Sequence, residues 1–155
     1  MGCMDDLPPR LRRLPRLPGP PDGLDIRVAA SFATRLLGLA GLVAMPRFTG
    51  LLLPGTRSVH TVGMRFGLDL VWLARDGLVV RVDAAVGPGR LAGCRAAGGV
   101  IEFVAAGGPG PLLPRAGDRL AWQLPPARRI AGPVRSARDE RRRSRPAPGG
   151  GRHRP

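Results

Sequence analysis

Four residues of this 155-residue chain stand out as candidates for chemistry: His60, Cys94 and the acids Asp69 and Glu102. An imidazole serves as a general base or a metal ligand, yet a lone histidine on an alternating strand is more often a hydrogen-bonded structural residue. Cys94 follows a loop and precedes Arg95, whose charge would favour the thiolate only if the thiol were exposed. No histidine is placed beside it by the sequence, so a small packing residue is the plainer reading. Asp69 and Glu102 both sit among apolar residues, where a carboxylate needs a partner. Arg35, Arg65 and nearby loop amides could supply one, which would make the acids structural. Gathered in one pocket with His60, the two acids would instead form a hydrolytic or metal site. The candidate pocket is therefore Arg35, His60, Met64, Asp69, Cys94 and Glu102. No Cys/His cluster has zinc spacing, and Gly87-Pro88-Gly89-Arg90 lacks the glycine spacing of nucleotide loops. No metal and no cofactor are expected.

The elements that must position these residues centre on residues 58–85. Two apolar runs flank Asp76-Gly77, a pair suited to a two-residue type I′ hairpin turn. Such a turn sets Leu73 opposite Val80, Val71 opposite Val82 and Asp69 opposite Ala84 on one face, which is expected to be the core face. Trp72 opposite Arg81 and Leu70 opposite Asp83 fall on the other, with Trp72 and Arg81 in a cation–π position. Upstream, residues 26–30 read as a strand, and Ser31 as the N-cap of a helix over residues 32–40 that Gly41 stops. Gly38 inside that helix would cost about 1 kcal/mol against Ala, a sign of close backbone packing. Leu51-Leu52-Leu53, residues 58–62, residues 100–104 and residues 120–124 complete the strands.

Composition places the remaining limits. Hydrophobic residues make up 43% and aromatics 4% of the chain, so Leu and Val must fill the core. The net charge of +14 comes entirely from arginine, as there is no lysine. Residues 126–155 hold ten Arg against Asp139 and Glu140, a net +8, whereas residues 24–125 carry +5. The expected organisation is a disordered Pro/Arg-rich tail over residues 1–23, one domain over residues 24–125, and a disordered Arg/Pro/Gly-rich tail over residues 126–155. Arg128, Arg129, Arg141, Arg142 and Arg143 could contact a polyanion non-specifically, but no aromatic platform accompanies them. Asp5, Asp6 and prolines stand where a signal peptide needs an apolar core. No apolar run approaches the ~20 residues of a membrane helix. The expected setting is cytoplasmic, with no membrane span.

The run His60-Thr61-Val62-Gly63-Met64-Arg65-Phe66-Gly67-Leu68-Asp69, followed by an apolar strand, Asp76-Gly77 and Val79-Val80, resembles domain-of-unknown-function family 192. Thr34-Arg35-Leu36-Leu37-Gly38-Leu39 looks like that family's Arg-x-x-Gly-Leu segment. Val100-Ile101-Glu102-Phe103, with Gly107 and then Gly117-Asp118, looks like its later strand and end. The resemblance spans roughly residues 26 to 122. It implies a small, mainly β, single domain, sandwich-like or jelly-roll-like or barrel-like, with one short helix near its start and no established activity. Two functions remain open. One is a non-enzymatic binding or accessory module for a small ligand or a protein, with a pocket near His60, Met64 and Asp69. The other is a small hydrolase or metal-dependent enzyme using His60, Asp69 and Glu102.

Overall fold

The computed structural model describes residues 7–20, 23–105 and 113–120. Its frame is an open five-stranded sheet of β1 (Asp25–Val28), β2 (Thr49–Pro54), β4 (Leu68–Leu73), β5 (Val79–Val86) and β7 (Gly99–Val104), in the order β1-β2-β7-β4-β5. β1 and β2 run parallel and every other neighbouring pair is antiparallel. β3 (Ser58–His60) and β6 (Leu91–Gly93) form a separate two-stranded ribbon. The protein is mainly β, and the sheet does not close into a barrel.

Near-continuous apolar runs such as Leu51-Leu52-Leu53 are what a strand needs when both of its faces are covered. β2 and β4 are buried at every position, and β7 up to Phe103. Leu51, Leu53, Leu68, Leu70, Trp72 and Val100 pack on one face of the sheet. Ile26, Leu52, Val71, Leu73, Ile101 and Phe103 pack on the other. The single core face expected for the hairpin is thus replaced by two, and Trp72 is as buried as Val71.

The hairpin register holds in its middle, where Leu70 pairs with Asp83, Val71 with Val82 and Trp72 with Arg81. It departs at both ends, because Leu73 pairs with Val79 and Leu68 with Val86. At the turn, Gly77 has φ 85° but Asp76 stays at negative φ, so a type I′ turn is not formed. The loop is longer, closed by Gly77 N–H to Ala74 O (3.1 Å) and Ala74 N–H to Leu78 O (2.8 Å). At the far end, Ala85 at φ 52° inserts a bulge between the Leu68 and Leu70 pairings.

Two helices are present among the described residues. α2 (Phe32–Leu37) begins at Ser31, whose Oγ accepts the Thr34 N–H while Thr34 Oγ1 accepts the Ser31 N–H. It stops at Gly38, φ 47°, three residues before the expected end. α1 (Pro9–Arg12) lies in the stretch expected to be an unattached tail. Pro8 and Pro9 precede the helix interior, where proline is tolerated. The spacing of Leu7 and Leu11 then lets both bury against the first face, while Leu17 buries against the second. Leu17 N–H bonds Ile26 O and Val28 N–H bonds Pro15 O, so residues 15–17 line the β1 edge. Residues 113–120 return beside the start of β5. The expected strand beyond Leu120 and the arginine-rich segment 126–155 lie outside the described residues. Among the described residues no helix is long and apolar enough to cross a membrane.

Candidate functional site

Glu102 occupies the middle of the central strand, flanked by Leu51 of β2 and Leu70 of β4. Paired residues share a face, so its carboxyl points to the side of Leu51, Leu53 and Leu70. There it reaches a pocket of about 430 Å³ whose walls include Leu39, Leu53, Val59 and Met64, with Arg35 and His60 also lining it. The Glu102 side chain is only 4% exposed. Burial pushes its pKa up to about 7, opposed by a hydrogen bond from the Leu39 backbone N–H. Its Oε2 has no hydrogen-bond partner. A buried polar atom left unpaired costs free energy on the order of 1–3 kcal/mol, which is why such atoms are few in folded proteins.

The turn after α2 is shaped around this carboxyl. A Cβ on Gly38 would lie 3.2 Å from Oε2, and the φ of 47° there is itself one that side chains rarely adopt. Glycine at position 38 therefore satisfies the backbone and leaves room for the carboxyl against the turn. Arg10 fixes the turn from outside, its Nη2 donating to Gly38 O (3.1 Å) and Ala40 O (2.7 Å). The Arg35 guanidinium lines the pocket but donates to Pro54 O (2.9 Å) and makes no ion pair with Glu102. His60 is exposed at the margin, while Met64 is buried in the wall.

Of the six residues singled out by sequence, the pocket thus brings together Arg35, His60, Met64 and Glu102. Asp69 stands elsewhere. It alternates with Leu68 and Leu70 and pairs with Phe103, so it faces the other side of the sheet. A site combining His60, Asp69 and Glu102 cannot assemble. Asp69 instead accepts the Ala85 N–H on Oδ1 (2.8 Å), and Oδ2 is unpaired. None of the partners expected for it, Arg35, Arg65 or the amides near Met64, is used. Cys94 is half-buried against the first core and does not line the pocket. Gly38, Leu39 and Arg10 were missed as site residues. The misfit of a glycine within a helical pattern was the signal for the first.

No curated protein matches this chain in sequence. A protein of unknown function from Novosphingobium aromaticivorans DSM 12444 is similar in structure, with a TM-score of 0.56 at 17% identity over 64% of this chain and 75% of its own. A protein described as a candidate transcription regulator from Sinorhizobium meliloti 1021 gives a TM-score of 0.49 at 21% identity, over 53% of this chain and 69% of its own. A family model described as an uncharacterized ACR matches residues 18–121, which span the sheet, the turn at Gly38 and the pocket. The chain belongs to domain-of-unknown-function family 192 (DUF192).

Proposed function

We propose that the domain is a non-enzymatic binding module that holds a small, largely apolar ligand in the pocket of Arg35, His60, Met64 and Glu102. The observation that carries this reading is Glu102, a buried carboxyl with one unpaired oxygen, in the lining of a pocket with apolar walls. Ligand pockets of this size are typically apolar with a few placed polar groups. A hydrogen-bond donor on the ligand supplies the partner that Glu102 lacks. Hydrolysis is disfavoured because Asp69, one of the three residues it would use, is on the opposite face. The test is a titration of the full chain with hexane-1,6-diol, a hydroxyl donor on an apolar stem, followed by backbone amide NMR. Saturable shifts at Leu39, Val59 and Met64 are expected. Shifts scattered over the surface, or none, refute the reading.

A further inference from the structure

Resting on that reading, we infer that the ligand is a short amphoteric molecule with an ammonium group at its inner end, an apolar stem, and a carboxylate at the pocket mouth. The ammonium sits on Glu102 and the carboxylate faces Arg35 and His60.

The charges are arranged by depth. Glu102 is almost completely buried, Arg35 is half-buried and His60 is exposed, and all three line one pocket. The arginines near the acid do not neutralise it: Arg35 is turned to Pro54 O, and Arg10 to Gly38 O and Ala40 O. An ammonium group brings the charge and the N–H donors that the free carboxylate oxygen lacks. Leu39, Leu53, Val59 and Met64 between the two ends suit methylenes. At the mouth, the Arg35 fork has N–H groups beyond the one used on Pro54, and it is the natural partner of a carboxylate. A simple anion would meet Glu102 at the inner end, and a simple cation would meet Arg35 on the way in. An amphoteric ligand satisfies both.

The probes are 6-aminohexanoate, hexanoate, n-pentylammonium and the diol used above, titrated into the full chain at pH 8 by amide NMR. We expect 6-aminohexanoate to bind at least about tenfold more tightly than hexanoate or the diol, the weight of one hydrogen bond to a charged group. Glu102→Gln, its fold checked by an unchanged amide spectrum away from the pocket, should remove that advantage. Arg35→Met should weaken 6-aminohexanoate and leave n-pentylammonium no weaker, or tighter once the repelling charge is gone. Lowering the pH from 8 to 6 should weaken both amines several-fold as Glu102 takes up its proton, and leave the diol unaffected. Arg10, Arg35 and His60 are the other charged or titratable groups around this carboxyl, and repeating the series in His60→Gln removes the imidazole as a source of the effect. If the diol binds but 6-aminohexanoate does not exceed it, or hexanoate binds as tightly, the amphoteric ligand is refuted while the pocket stands. If no probe shifts the pocket amides, both fall.

Discussion

A carboxyl that is harder to ionise in the folded chain than in the unfolded one makes stability depend on pH in a defined direction. Glu102 moves from an ordinary 4.5 to about 7 because it is buried. Between those values the folded state holds a proton that the unfolded state has lost, so stability falls as pH rises from about 4.5 to about 7 and then levels off. The full difference is roughly 3 kcal/mol. Glu102→Gln keeps the shape without the charge. Its thermal melt should exceed that of the parent at pH 8, with the gap closing by pH 5; equal gaps at both values would contradict the assignment. Asp69 predicts the reverse kind of loss. Asp69→Ala leaves the Ala85 N–H unsatisfied and should cost about 1–3 kcal/mol in a urea melt, whereas Asp69→Asn retains an acceptor and should cost less.

At the scale of elements, the β5 bulge combines a strained residue with the acid that holds it. Ala85 stands at φ 52°, where alanine pays about 1 kcal/mol that glycine does not, so Ala85→Gly should raise the denaturation midpoint. A lowered midpoint would mean that the methyl packs. One turn along the hairpin, the buried Trp72 donates from Nε1 to Asp83 Oδ2 (2.8 Å), with Arg81 5.6 Å from its ring centre. That cation–π contact, the middle of the register and the Ser31 cap were legible because each depends on neighbours in sequence. The hairpin ends were not, since a single residue added at a bulge displaces every pairing beyond it. The site was half legible for a related reason. Period-two alternation marks Asp69 and Glu102 as acids in apolar strands, but not which strands pair. The Leu70–Glu102 pairing alone separates them onto opposite faces.

At the scale of the whole molecule, the N-terminal stretch is a structural part of the domain. Its prolines argued for disorder, yet Leu7, Leu11 and Leu17 reach both cores. Leu11→Ala should cost about 2–4 kcal/mol, as deletions at a buried leucine do, and an unchanged melt would show the helix to be dispensable. The same stretch also seals a margin. An open sheet offers two outer strands whose free backbone groups invite another chain to pair. Here residues 15–17 occupy the β1 side, and the Val79 N–H and O are taken by Asp118 and Gly117 on the β5 side. Farther along β5, the Ala85 bulge and the charged Arg81 and Asp83 spoil a straight docking line. Protection against edge-to-edge polymerisation is therefore built into both flanks, so removal of residues 7–17 should raise light scattering as chains pair through the bared β1 edge.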